Sequence, residues 1–249
     1  MAQEIDRDFD FIGGEVLHFS KPLHWTSFKL VKKLRGHIHQ HYGIKKFKVG
    51  HAGTLDPLAT GVMTICTGKA TKLIESLQGE DKEYITTIAL GATTPSFDLE
   101  TEIDQTFPTE HITREKVEEV LASFVGDIEQ VPPIFSAVKI DGERAYKLAR
   151  KGDEVELKAK LIRIDEIELL EFSQTAIRIR VACGKGTYIR SLARDIGLAL
   201  DSGGHLTELI RTRVGKVRLE DCYSVDQIAD IVARGIAPKD NNIKNRNNY

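Results

Sequence analysis

At 249 residues, with 41% hydrophobic and 29% charged side chains, the chain has an ordinary globular composition and enough length for a substantial core. No apolar run approaches the roughly 18 residues of a membrane span, and the polar start from Met1 to Asp10 has no signal-peptide stretch, so a cytoplasmic location is expected. Cys66, Cys183 and Cys222 are odd in number, widely spaced and never in a C-x-x-C pair, so neither a disulfide framework nor a zinc site is suggested; a formal charge of −2 argues at first sight against a polyanionic partner.

Glu15 to Phe19 reads as a short strand ending at Lys21-Pro22. Thr26 or Ser27 then caps a predicted helix with Phe28, Val31, Leu34 and Ile38 on one face. Here the net charge misleads: between Val16 and Leu55 stand eight Lys or Arg residues and no acid, a basic stripe suited to a polyanion. Gly50 to Gly61 is a loop dense in Gly, Thr and Pro, followed by a strand-like run from Val62 to Cys66 and a short helix from about Ala70 to Leu77.

Lys82 to Leu90 alternates as a strand. Between Asp98 and Gln130 ten acids face only Arg114 and Lys116, so opposite charges separate along the chain. Thr113 to Val125 reads as a helix with Val117, Val120, Leu121 and Phe124 inward and Gly126 as its stop. Val131 to Val155, with Pro132-Pro133, Gly142 and Gly152, reads as an excursion from the core. Leu161 to Phe172 and Thr175 to Cys183 form a predicted strand pair, and Thr187 to Leu200 a helix ended by Gly203-Gly204. A strand from about Glu208 to Val217 precedes a helix opened by the capping box Ser224 to Gln227, with Ile228, Ile231 and Val232 on its apolar face. From Pro238 the Asn- and Lys-rich tail has too little apolar content to pack. Without repeats or regular βαβ alternation, the expected class is α+β with a mixed, largely antiparallel sheet.

The most unusual segment is Gly50-His51-Ala52-Gly53-Thr54-Leu55-Asp56-Pro57-Leu58-Ala59-Thr60-Gly61. Its proline keeps Asp56 out of helical geometry, so the one acid is presented on a stiff turn. A lone Asp before Pro is commonly just a turn-former. The whole segment, however, resembles the catalytic motif of the TruB family, tRNA pseudouridine synthases acting on uridine 55 of the TψC loop. Other segments are similar to that family's motifs in the same order: Lys21-Pro22 followed by Trp25-Thr26-Ser27; Lys82-Glu83-Tyr84; Pro132-Pro133 with Ser136-Ala137, Lys139, Gly142, Arg144 and Tyr146; and Gly186-Thr187-Tyr188-Ile189-Arg190. Phe135 stands where the family more often has Tyr.

The resemblance runs from about Gly14 to Val217. It implies a pseudouridine synthase fold, a central mixed, mostly antiparallel sheet flanked by helices, with catalytic domain 14–217 and a thumb-like insertion at about 131–155. Residues 1–13 would be an N-terminal segment, and 218–249 a short helix and tail in place of a full PUA-type domain. It further implies Asp56 as nucleophile, Tyr84 stacked on a flipped base, and Arg190 as ion-pair partner of Asp56. Tyr188 and Leu209 would line the pocket, and His51 would hold the flipped loop. Lys21 and Gly53 fall with the substrate-binding residues, and Lys139 and Arg144 with the thumb's grip on RNA. The expected partner is the tRNA T arm, with no cofactor, no metal and no membrane, and the expected state is a monomer.

The chemistry is consistent with these residue types. Moving uracil's linkage from N1 to C5 needs an ionised carboxylate, a pocket that retains the detached base and an acceptor for the C5 proton. Burial would raise the pKa of Asp56, and a neighbouring Arg190 would oppose that. Extruding the nucleotide costs a few kcal/mol, of which stacking on Tyr84 would return about 1 to 3 kcal/mol. Attack at ribose C1′, attack at uracil C6 and a glycal route all stay open. Two rivals are an RNA-remodelling module without chemistry and a carboxylate glycosidase, which normally needs two placed acids. His37, His39 and His41 alternate on a helix and so point to different sides, against a metal cluster.

Overall fold

A computed structural model describes residues 3–44, 47–134, 139–140, 143–144 and 157–236, the side chains of the two dipeptides excepted. Two compact units are present: Met1–Glu80 with Arg211–Tyr249, and Asp81–Ile210. In chain order the first stretch holds β1 (Val16–Lys21), α1 (Ser27–Tyr42), β2 (Val49–His51), β3 (Ala59–Thr67) and α2 (Ile74–Gln78). The middle stretch holds β4 (Lys82–Leu90), β5 (Ala92–Thr93), β6 (Gln105–Thr106), α3 (Arg114–Ser123), β7 (Gly126–Gln130), β8 (Lys139–Ile140), β9 (Glu143–Arg144), β10 (Lys160–Phe172), β11 (Ala176–Cys183) and α4 (Ile189–Ala199). Then come β12 (Gly204–Val214), β13 (Val217–Arg218), β14 (Tyr223–Ser224) and α5 (Ile228–Ala233).

In the first unit β1 lies between β3, antiparallel, and β14, parallel, while β2 folds back on β3 as a hairpin. The inner face of these strands carries Leu17, Phe19, Met63 and Ile65, which pack with Leu30, Val31, Leu34 and Ile38 of α1 and Ile228, Ile231 and Val232 of α5. Each such side chain, fully buried, contributes about 1.5–3 kcal/mol. Thr26 caps α1 by accepting from Lys29 N at 3.0 Å, as its position predicts. The inward row differs from expectation: Leu30 is buried and Phe28 is 60% exposed, because the core takes positions 27, 30, 31, 34 and 38.

In the second unit β4 pairs with β11, β11 with β10 and β10 with β7, each antiparallel. β4 alternates strictly, burying Lys82, Tyr84, Thr86, Ile88 and Leu90. Thr113 caps α3, which packs on β10 and α4 through its buried Val117 and Leu121. Gly126, expected as a helix stop, is the first residue of β7, the helix having closed at Phe124.

Three further expectations are corrected. The helix at 70–77 is a 3₁₀ turn over Gly68–Leu73 followed by the short α2. The strand expected from Glu208 begins at Gly204 and ends at Val214, where Gly215-Lys216 turn the chain so that Val214 pairs with Val217. The capping box at Ser224 exists, Ser224 N donating to Gln227 Oε1 at 2.8 Å, but its first turn is 3₁₀. Of the proposed thumb, Phe135, Ser136, Ala137, Gly142 and Tyr146 lie outside the described residues, and Lys139 faces Arg144 in the β8–β9 backbone pairing. The tail from Pro238 also lies outside them. No helix among the described residues is long and apolar enough to cross a membrane.

Candidate active site

The glycine-rich loop is the tip of the β2–β3 hairpin. His51 still pairs with Ile65, Ala52 N donates to Thr64 O at 2.9 Å, and the chain then loops out until Ala59 re-enters the sheet. Asp56 opens a turn closed by Ala59 N donating to Asp56 O at 3.1 Å, with Pro57 at the second position, where its fixed φ suits the bend. The preceding residue is locked from behind: the buried Ser27 hydroxyl both donates to Leu55 O and accepts from Leu55 N, each at 2.9 Å. Across the turn His24 N donates to Pro57 O at 2.8 Å. Asp56 is left half-buried on a bend fixed at both sides.

Beneath this loop lie two buried cations. Arg211, 2% exposed, donates from Nε to Val62 O at 2.8 Å, from Nη1 to Thr54 O at 3.3 Å and from Nη2 to Gly53 O at 3.3 Å. The close approach requires glycine: at Gly61, with φ +112°, a Cβ would stand 2.2 Å from the Arg211 carbonyl oxygen. Lys21, fully buried, donates to Trp25 O at 2.7 Å and Pro22 O at 3.1 Å. Burial pushes its ammonium down to about 8, with Asp56 acting in the opposite sense and Arg211 in the same one. His51 is held below the usual imidazole value by burial first and by the Arg211 charge second; its Nδ1 is buried without a hydrogen-bond partner among the described residues.

In the second unit Gln130, 1% exposed, brackets the start of α4, accepting from Tyr188 N at 2.8 Å and donating to Tyr188 O at 3.2 Å. That orients the first turn, from which Arg190 points inward at 4% exposure. Its Nε lies 3.8 Å from the buried Asp98 carboxylate and its Nη1 donates to Ser96 O at 3.2 Å. The loop carrying both partners is tied to itself by Thr94 Oγ1 donating to Asp98 O at 2.7 Å and by the paired hydroxyls of Ser96 and Thr101 at 2.8 Å. Tyr84 is buried on β4 opposite Val181, and Leu209 is half-buried on β12.

Residues 36–189 match the model for the TruB family pseudouridylate synthase (N terminal domain), and residues 190–242 that for the tRNA pseudouridylate synthase B C-terminal domain. The chain belongs to the TruB family. It is 70% identical over 221 residues to the tRNA pseudouridine synthase B of Phocaeicola vulgatus, covering 89% of this chain and 94% of that one. To the protein of that name in Flavobacterium johnsoniae it is 52% identical over 217 residues, 87% and 95% of the two chains. Among solved structures it is similar to a chain of a Cbf5-Nop10-Gar1 complex, with a TM-score of 0.65 and 29% identity over 88% of this chain and 54% of that one.

Within the TruB family frame, the structure places His51, Gly53, Asp56 and Lys21 together in the first unit, and Tyr84, Tyr188, Arg190 and Leu209 in the second. Three supporting residues escape a reading of the sequence. Asp98 is one acid among ten in its stretch, Gln130 stands at the end of that stretch, and Arg211 lies in a predicted strand, where a buried charge is unexpected. The three cysteines are buried, and burial pushes Cys66, Cys183 and Cys222 up to about 11, 11 and 12, so none offers a thiolate near neutral pH. Among the described residues no cluster of three or more His, Cys, Asp or Glu is placed to hold a metal ion.

Proposed function

We propose that the protein is a tRNA pseudouridine synthase that isomerises uridine 55 of the T arm by base flipping, with Asp56 as its catalytic carboxylate and without a cofactor. The observation that carries this reading is the 70% identity, over nearly the full length of both chains, to a relative named tRNA pseudouridine synthase B. The hairpin bend supports it: one carboxylate, on a turn stiffened by Pro57 and Ser27, stands above two buried positive charges. Such a carboxylate is held in place to attack or stabilise the uridine as the N1–C1′ bond breaks, after which uracil rotates, C5 bonds to C1′, C5 gives up its proton and N1 takes one up.

In this reading Tyr84 stacks on the extruded base, Arg190 pairs with Asp56, and Tyr188 and Leu209 wall the pocket. His51 holds the displaced loop of the RNA. Lys21 and Gly53 support the bound nucleotide, and Lys139 and Arg144 grip the RNA from a thumb at about 131–155 of a catalytic domain spanning 14–217, with residues 1–13 before it and a short helix and tail over 218–249. The enzyme is proposed to be cytoplasmic and monomeric.

The test is direct. Purified protein incubated with unmodified tRNA transcript, without added metal or nucleotide, is expected to yield pseudouridine at position 55 when the product is mapped at single-nucleotide resolution. Asp56→Asn, which keeps the side chain's size but not its charge, is expected to bind the transcript as well as the parent and form no product. Undiminished product from that variant would remove Asp56 from the chemistry, and tight binding with no product from the parent would favour an RNA-remodelling module.

A further inference from the structure

Arg211 is the last residue a strand pattern would nominate for a buried role, and its surroundings explain why it is there. A guanidinium has donors arranged in a rigid plane, so it can hold several acceptors at fixed mutual angles, as an ammonium cannot. Here the acceptors are backbone carbonyls on both legs of one hairpin: Gly53 O and Thr54 O on the leg leading to Asp56, and Val62 O on β3, the leg leading away. All three bonds are made at 2% exposure, and hydrogen bonds from a charged donor in such a place contribute roughly twice what neutral ones do. Gly61 lets the strand carrying Arg211 approach the hairpin at backbone contact distance, which sets the reach of the side chain.

Resting on the function proposed above, we infer that Arg211 is a positioning residue for catalysis: its guanidinium clamps the two legs of the Asp56 hairpin and so fixes where the carboxylate stands relative to the bound uridine. Arg211 does not meet the substrate in this scheme. It acts through the backbone of Gly53, Thr54 and Val62, whose carbonyls its guanidinium holds.

Two consequences separate a clamp from a plain core residue. Arg211→Lys keeps the charge and most of the volume but cannot span three carbonyls, so the clamp predicts loss of geometry with the fold retained. A displacement of the order of 1 Å at a reacting group is worth about a hundredfold in rate. The expected result for Arg211→Lys is therefore a single-turnover rate of pseudouridine formation on saturating tRNA lowered about a hundredfold, with the dissociation constant for the tRNA within about threefold of the parent. Amide hydrogen exchange is expected to rise at residues 52–58 and stay unchanged in α1 and β11. Arg211→Met, which removes the charge as well, is expected to be slower still; if it fails to fold, Arg211→Lys decides alone. A parent-like single-turnover rate in Arg211→Lys, or global unfolding of both variants, overturns the inference. A parent protein that makes no pseudouridine overturns instead the function on which it rests.

Discussion

Lys21 sets its ammonium in a site with no solvent exposure, satisfied by the carbonyls of Pro22 and Trp25. The sequence points to the residue through the Lys-Pro dipeptide, but nothing local says that the charge is sealed in. The consequence is a pH dependence of stability. Its pKa falls from 10.5 in the unfolded chain to about 8 in the native one, so between these values the unfolded state binds more protons. Stability from this group therefore rises with pH across that window, and below about pH 8 its full cost is present. Comparing urea unfolding of the parent and Lys21→Met at pH 7.5 and 9.5 is expected to show the difference shifting in the parent's favour at the higher pH. A difference that does not change with pH would falsify the burial of a charged lysine here. Asp98 and Arg190 teach a related lesson: each is an ordinary charge in the chain, and only the fold brings them to 3.8 Å with both nearly sealed from water.

At the scale of elements, α1 and the β2–β3 hairpin show which signals act locally. The Thr26 cap, the start of α1 and the turn at Asp56-Pro57 depend on residues within a few positions, and all are found where the chain indicates them. The choice between Phe28 and Leu30 as the inward residue is not local, since both lie near the apolar stripe and the neighbouring strands decide which is covered. Two glycines make the same contrast measurable. Gly61→Ala must hold a Cβ at φ +112° and 2.2 Å from the Arg211 carbonyl, and is expected to lower the stability of the protein by at least about 2 kcal/mol in urea titrations. Gly36→Ala, in the middle of α1 with open space around the new Cβ, is expected to raise it by about 0.5–1 kcal/mol.

For the whole molecule, charge segregation matters more than its sum of −2. Lys29, Lys32 and Arg35 are exposed on α1, and Lys29 Nζ lies 4.3 Å and Lys33 Nζ 5.4 Å from the Trp25 ring centre, which places positive charge beside an aromatic face on one surface of the first unit. A polyanion drawn to that surface releases counterions. Binding of tRNA is accordingly expected to weaken linearly on a log–log plot against salt, and Lys32→Ala to reduce the slope by about 1 while weakening different tRNAs equally. An unchanged slope would take Lys32 out of the phosphate contacts.

The sequence by itself determined the α+β class, strands read at 82–90, 161–172 and 175–183 that the structure places at 82–90, 160–172 and 176–183, the helices that start near Thr26 and Thr113, and the place of the Asp56 bend. Alternation, capping residues and a Gly/Pro-rich turn act through neighbours a few positions apart, so the chain carries them openly. Only the tertiary structure decided that Arg211 spans the legs of that bend, that Gln130 sets the first turn of α4, and that Asp98 faces Arg190. These contacts join residues 149, 58 and 92 positions apart in the chain. Their geometry comes into being when separate strands and helices pack, and periodicity along one segment holds no record of the partner on another.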